Sequence, residues 1–281
     1  MTSLGIGLHD GIAHADYLAM PALGSTHLSW LSVSPHYYQW MLTHPEEPTA
    51  SMSLGTALHM ATLEPERFEQ TYVQEPDPQV IAPGYSSPRS TKVYKESVAH
   101  LEALGRTVLR AEQMESVRMM AAGLRTHAKT SAVLERAPRR EVTALFDVDG
   151  RRCRARFDAL GDGVIADVKT TRSLRNFSPH TVTEMGYAVQ GALYVAGARA
   201  LGLKVSHFFF AVVENVPPYD VGCFVLDDEC LDYGMNEAAR LLALLGECER
   251  TDNWPGQFPE IERAMVTERA LQVALEGEEV A

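Results

Sequence analysis

Two Asp-Gly pairs, at residues 149–150 and 162–163, constrain this chain more than any other feature in it. Each separates stretches in which apolar and polar residues alternate. Asp-Gly between such runs is a strong hairpin signal, because a two-residue type I′ turn needs positive φ at both positions. The pairs divide this part of the chain into three antiparallel strands: Glu141 to Val148, Arg151 to Leu160, and Val164 to Lys169. They also set the register. If Val148 faces Arg151, then Glu141 faces Asp158; if Gly161 faces Val164, then Asp158 faces Asp167. Three carboxylates from three neighbouring strands thus fall in one row.

Side chains alternate between faces along a strand. One face then carries Val142, Ala144, Phe146, Val148, Cys153, Ala155, Phe157, Ala159, Val164, Ala166 and Val168, and reads as the core face. The other carries Glu141, Thr143, Leu145, Arg152, Arg154, Arg156, Asp158, Ile165, Asp167 and Lys169, and reads as a working surface. Residues directly opposite have Cβ atoms about 4.5–5.5 Å apart, and like charges there are destabilising. A cation among the three acids relieves this. Carboxylates with at most one imidazole favour Mg²⁺, with Mn²⁺ as a substitute, over zinc. The plain alternative is a solvated acidic patch balanced by the arginines beside it.

Around this meander the period is helical. Helices are expected over His36 to Thr43, Ser53 to Leu63, 93–135, Thr181 to Leu201 and Asp228 to Cys248, with two further strands at Val205 to Val213 and Asp220 to Leu226. Residues 74–92, with four prolines, read as a long mobile loop. The whole reads as one domain, 1–281: an N-terminal loop and helix cover (1–52), a helical part (53–135), a sheet–helix core (139–250) and a C-terminal tail (251–281).

The net charge of −12 leaves no global basic field to hold nucleic acid, so any such contact must be local and built from arginine. Four cysteines without CxxC spacing argue against a disulfide frame, a zinc site or an iron–sulfur cluster. No stretch of 18 apolar residues suggests a membrane span, and the start lacks the basic region of a secretory signal, so a cytoplasmic location is expected.

Asp158, followed by Asp167-Val168-Lys169 on the next strand, resembles the PD-(D/E)XK nuclease signature, with Phe157 where the signature has proline. Gly55-Thr-Ala-Leu-His59 resembles the GxxxH element of its RecB-like branch, and Gln190-Gly-Ala-Leu-Tyr194 the QxxxY element. Longer phrases, among them SLGTALHMATLEPERF, RCRARFDAL and ADVKTT, are similar to the RecE-type exonucleases (exodeoxyribonuclease VIII) of phages and prophages, from about His14 to Gly256. The resemblance implies an α/β (α+β) fold, with a central mixed sheet flanked by helices around a restriction-endonuclease-like core.

It also implies roles. Asp158, Asp167, His59 and the Val168 carbonyl would hold the metal, and Lys169 would orient or deprotonate the attacking water. Read alone, His59 among Ala, Leu and Met is as readily a core histidine. The absent side chain of Gly55 would let another element approach that helix. Glu141 is either an additional metal-side acid or the ion-pair partner of Arg156 or Arg139. Tyr187, Gln190 and Tyr194 share one helical face; they would contact the DNA backbone or support the site, or simply pack on the sheet. Arg152, Arg154 and Arg156 could guide a strand toward the metal, although Asp147 could pair with Arg152. Arg89, Lys92 and Lys95 could meet a DNA end.

The implied activity is Mg²⁺-dependent 5′→3′ exonuclease action on linear double-stranded DNA. It would leave 3′ single strands for a RecT-type annealing partner, and the enzyme would assemble as a ring tetramer. An endonuclease or single-strand nuclease on the same scaffold is one rival reading. A DNA-end-binding recombination module without turnover is another.

Overall fold

The computed structural model describes residues 4–45, 49–161, 163–177 and 180–260. Eight strands are present among them: β1 (Gly7–His9), β2 (Tyr72–Gln74), β3 (Thr107–Leu109), β4 (Arg139–Val148), β5 (Arg151–Gly161), β6 (Val164–Thr171), β7 (His207–Glu214) and β8 (Val221–Leu226). The helices of the first half are α1 (His14–Leu18), α2 (Ser25–Val33), α3 (Pro35–Thr43), α4 (Ala50–Leu63), α5 (Pro65–Thr71) and α6 (Pro78–Ile81). Those of the second are α7 (Lys92–Ala103), α8 (Ala111–Thr126), α9 (Ala128–Arg136), α10 (His180–Glu184), α11 (Tyr187–Ala200) and α12 (Asp228–Thr251).

The main sheet has the order β1-β4-β5-β6-β7-β8, antiparallel except for the parallel pair β6–β7 that α10 and α11 connect. This is the expected α/β fold with a central mixed sheet. Helix starts follow local chemistry. Ser34 Oγ accepts the N–H of Tyr37, Thr49 Oγ1 that of Met52, and Asp227 Oδ1 that of Cys230, each satisfying a donor that a helix N-terminus leaves open.

The register follows the turns. Val148 pairs with Arg151, and the ladder continues to Arg139 opposite Leu160. At the first turn Asp149 and Gly150 have φ of 49° and 75°, as a type I′ turn requires. Across the second, Gly161 pairs with Val164 and Ala159 with Ala166; Asp162 itself lies outside the described residues.

The expectation of one apolar core face is corrected. Cys153, Ala155 and Phe157 pack with Val142, Ala144 and Phe146 against α11 and α12. Ala159 instead packs with Val164, Ala166 and Val168 in a second core, against α4, α8 and α9. The pleat changes face between Phe157 and Ala159, at Asp158. Glu141, its register mate, has a φ of 52°, a left-handed conformation that interrupts the two-residue period.

The expected working surface is covered too. Thr143, Leu145 and Arg154 are buried beneath the N-terminal segment. There β1 pairs with β4, and Leu23 exchanges backbone hydrogen bonds with Arg152 and Arg154.

Three other expectations change. Residues 74–92 are not one long loop. They contain α6 and a 3₁₀ turn at Pro88–Ser90, and the Arg89 guanidinium and Tyr94 hydroxyl converge on the buried Glu75 carboxylate. The single helix over 93–135 is divided into α7, α8 and α9, with Gly105 (φ 76°) leading into β3, which pairs with β2. The helix expected from Thr181 is broken at Gly186, φ 68°. Part of the expected tail, 261–281, lies outside the described residues.

Two close approaches lock α11 in place. A Cβ at Gly197 would stand 2.4 Å from the Phe146 ring, and one at Gly234 of α12 would stand 2.2 Å from the Ala188 carbonyl oxygen.

Candidate active site

At Asp158 the pairing of β5 with β6 has ended, and the carboxylate takes over part of the ladder's role. Asp158 Oδ2 accepts the Val168 N–H at 2.7 Å, and His59 Nδ1 of α4 lies 3.2 Å from the same oxygen. One β6 residue before Val168, Asp167 Oδ1 accepts the Gln190 Nε2–H of α11 at 2.7 Å. Asp167 Oδ2 is 2.5 Å from Lys169 Nζ, yet it is buried without a hydrogen bond of good geometry. Lys169 Nζ also stands over the Tyr187 and Phe210 rings, at 5.2 and 6.0 Å from their centroids. Both aspartates are buried. The helices on the two faces of the sheet therefore each deliver one polar side chain, His59 or Gln190, to one aspartate.

The electrostatics divide the acids. Burial works against charge on Asp158, but His59, Lys169 and the Val168 N–H outweigh it and hold the carboxyl below the usual range. For Asp167, burial wins over Lys169, and the neighbouring Asp158 adds to it, so its carboxyl is pushed up. Burial likewise raises Glu141, with Asp158 adding to the rise and Arg156 opposing it. The His59 cation is disfavoured by burial, yet Asp158 and Asp167 raise its pKa to about 9. For Lys169 the same two acids overcome the burial effect and raise it further.

His59, Glu141 and Asp158 each bring one ligand atom to within 4.8 Å of the others. That spacing is little more than twice the roughly 2.1 Å bond of Mg²⁺ to oxygen, and an imidazole with carboxylates is a donor set a hard divalent ion accepts. The residues fit a divalent cation, and Asp167, close enough to Asp158 to raise its own pKa, is a further acid nearby. In the structure Asp167 is turned to Lys169 and Gln190, and Val168 contributes its N–H toward Asp158.

Glu141 has the position for one reading and the ion-pair partner of the other. It stands in the His59–Asp158 group, and its Oε2 lies 2.5 Å from Arg156 Nε.

The arginine line is corrected in part. Arg154 Nη1 donates to the carbonyls of Tyr17, Leu18 and Met20, with its guanidinium 5.0 Å from the Tyr17 ring centroid. It is buried and committed to the N-terminal segment, so it does not face a phosphate. Arg156 is held by Glu141 and the Ile12 carbonyl. Arg152 remains half-exposed, paired with Asp147 at 2.6 Å.

Tyr194 is buried as well, in edge contact with Phe157 and Phe208, and is not open to DNA. Burial, reinforced by Tyr17 and both aspartates, pushes its hydroxyl pKa well up. Tyr187 is half-buried, stacked on Phe177 beneath Lys169. Tyr17 was missed in the sequence reading; a lone tyrosine in a short irregular segment carries no signal for a role built by folding back onto β5. Arg89 turns inward to Glu75, and Lys92 pairs with Glu96.

An acid at the limit of the β5–β6 pairing, then acid-x-Lys on β6, with flanking helices supplying His and Gln, defines a PD-(D/E)XK-type core. The chain belongs to the family described as PDDEXK-like domain of unknown function (DUF3799), whose model matches residues 28–265. Its fold is similar to the crystal structure of a protein from Eubacterium rectale named as an exonuclease by assignment. Identity is 12%, coverage is 94% of this chain and 98% of that one, and the TM-score is 0.62. A further structure, SSO0001, matches at 16% identity over 67% of this chain and 86% of its own, with a TM-score of 0.26. No curated protein matches the chain. No helix among the described residues is long and apolar enough to cross a membrane.

Proposed function

We propose that the protein is a divalent-metal-dependent DNA nuclease acting at the ends of linear double-stranded DNA. The observation that carries this reading is the convergence of Asp158, Asp167 and Lys169 with His59 and Glu141 in one buried polar centre within a PDDEXK-like domain.

His59, Glu141 and Asp158 would hold a Mg²⁺ or Mn²⁺ ion, with Asp167 adjoining. Such an ion, when bound, lowers the pKa of water and offsets charge on a phosphate. Gln190 fixes the Asp167 carboxylate by its hydrogen bond. Lys169 holds a positive charge at the position where an attacking water and a charged phosphate would meet. Tyr187 and Phe210 wall off one side of that ammonium. Arg152 offers an accessible guanidinium for backbone phosphate.

End-directed 5′→3′ digestion, a RecT-type annealing partner and a ring of four chains belong to the proposal through the RecE-type resemblance. A ring would let an acidic chain keep its grip on DNA by topology.

The test incubates linear and closed circular duplex DNA with Mg²⁺ or with EDTA, using the wild type and Asp167→Ala. Mg²⁺-dependent loss of the linear form alone, absent in the variant, is the expected result. Cutting of the circle would make the protein an endonuclease, and no cleavage of either would make it a DNA-end-binding module.

A further inference from the structure

Of the three residues in the His59–Glu141–Asp158 group, only Glu141 has a left-handed backbone. His59 rides on the regular helix α4, which asks for no neighbour at Gly55: contrary to the sequence expectation, no described atom lies within 4 Å of the place a Cβ would take there. Asp158 is fixed by the Val168 N–H. At Glu141, by contrast, the β4–β5 pairs pass from Arg140–Ala159 to Val142–Phe157 with no Glu141–Asp158 pair between them, and φ is 52°, a region that residues other than glycine rarely enter.

The Glu141 side chain is held by Arg156. The guanidinium bridges two partners through different nitrogens, Nε to Glu141 Oε2 at 2.5 Å and Nη1 to the Ile12 carbonyl at 2.9 Å. Only 11% of the Arg156 side chain and 17% of that of Glu141 are exposed, so little water competes for the contact. Ile12 is anchored in turn. β1 pairs with β4 as far as His9 opposite Thr143, and Asp10 then pairs with Arg139 at 2.9 Å. The N-terminal segment is thus tied to β4 two residues before and two residues after Glu141, and reaches Arg156 on β5. A carboxylate has two oxygens, so one engaged by Arg156 leaves the other for a cation.

A guanidinium beside a cation site repels the cation. If charge were its whole effect, removing Arg156 would tighten metal binding. If its effect is orientation, removing it weakens binding, so the sign separates the two.

We propose that Arg156 is a positioning residue of the metal site: anchored on the Ile12 carbonyl, it keeps the Glu141 carboxylate within reach of His59 and Asp158. The inference rests on the metal-site part of the nuclease reading. It makes residues 10–12, which precede the 28–265 span matched by the family model, part of the site.

The test titrates Mn²⁺ into the full-length chain without DNA, by calorimetry. It compares the wild type with Arg156→Gln, Arg156→Lys, Glu141→Gln and the double variant Glu141→Gln/Arg156→Gln, and thermal unfolding without metal checks that each folds. Arg156→Gln should raise the Mn²⁺ Kd about tenfold, as loss of a ligand's orienting partner does. Arg156→Lys keeps the charge but not the fork, and should raise it about threefold. In the Glu141→Gln background, Arg156→Gln should add less than about twofold, because its effect passes through Glu141. The Mg²⁺ needed for half-maximal cleavage should rise in step, with KM for linear duplex within about twofold of wild type. An unchanged or lowered Mn²⁺ Kd in Arg156→Gln would overturn the inference, as would an equal loss with and without Glu141. If Arg156→Gln does not fold, an unchanged Kd in Arg156→Lys overturns it instead. A wild type that binds Mn²⁺ and leaves DNA intact would remove the nuclease reading alone, because the Kd comparison needs no cleavage. A wild type that binds no Mn²⁺ would remove both.

Discussion

Two buried acids in this protein have cationic partners and opposite outcomes. Glu75 receives the Arg89 guanidinium on both oxygens, the Tyr94 hydroxyl, and the Ala111 N–H at 3.3 Å. Its carboxyl is drawn down to about 2, first by the Arg89 hydrogen bonds, against the pull of burial. Asp167 also faces a cation and an amide, but one oxygen lacks a hydrogen bond of good geometry and Asp158 stands close by. Its carboxyl is pushed up by burial. What separates the two is the number of donors per acid: Glu75 is satisfied and holds the fold, whereas the Asp158–Asp167 pair is left with capacity for a cation.

The contrast breaks most visibly through the chemistry. Lys169→Ala and Asp167→Ala should each lower Mg²⁺-dependent digestion of linear duplex by about 10³-fold or more. Far-UV circular dichroism should remain that of the wild type; full activity in Lys169→Ala would remove its assigned role. At the satisfied acid the effect should fall on stability instead. Glu75→Gln is expected to cost about 3 kcal/mol at pH 7 in urea unfolding, with kcat unchanged.

The pH dependence of that loss has a definite sign. Because the folded carboxyl lies below its usual 4.5, its stabilisation is present above pH 4.5 and fades as pH falls toward 2. The gap between wild type and Glu75→Gln should therefore close across that interval, and a gap that widened would contradict the assignment.

Added divalent cation should discriminate the two acids directly. At about a hundredfold excess over Kd, Mg²⁺ stabilises a folded binding site by about 2.7 kcal/mol. Glu75→Gln should retain the resulting rise in Tm and Asp158→Asn should lose it. The smallest effect is expected at the exposed Arg152–Asp147 pair, worth about 0.5 kcal/mol. If Arg152 touches phosphate, Arg152→Ala should still make the slope of duplex affinity against salt shallower by about one unit.

Much of the acidic row was legible because Asp-Gly turns leave a hairpin little choice of register, and β4, β5 and β6 pair as that chemistry demands. The face each side chain adopts was less legible. Period-two reading assumes an unbroken pleat, and nothing in Phe157-Asp158-Ala159 announces that the core changes sides there. The burial of Arg154 was hidden for a different reason. Its partners are backbone carbonyls of Tyr17, Leu18 and Met20, more than 130 positions away, and carbonyls leave no mark in a sequence. Glu75 was lost inside a proline-rich stretch whose composition resembles that of a free loop. The hydrogen bond from Gln190 to Asp167 depends on how α11 lies over the sheet, which no local pattern encodes.

That placement of α11 bears on how the protein can change over time. Gln190 is carried by a helix that meets Phe146 at Gly197 and α12 at Gly234 with no room for even a methyl group. A substitution at either glycine must shift the helix and drag Gln190 off Asp167, although neither glycine is part of the acidic cluster. In a random library selected for activity, inactive variants should thus concentrate along the α11 seams nearly as densely as around the acids. A lineage drifting under selection would be free to rewrite the exposed faces of α7 and α8 long before it could alter either contact.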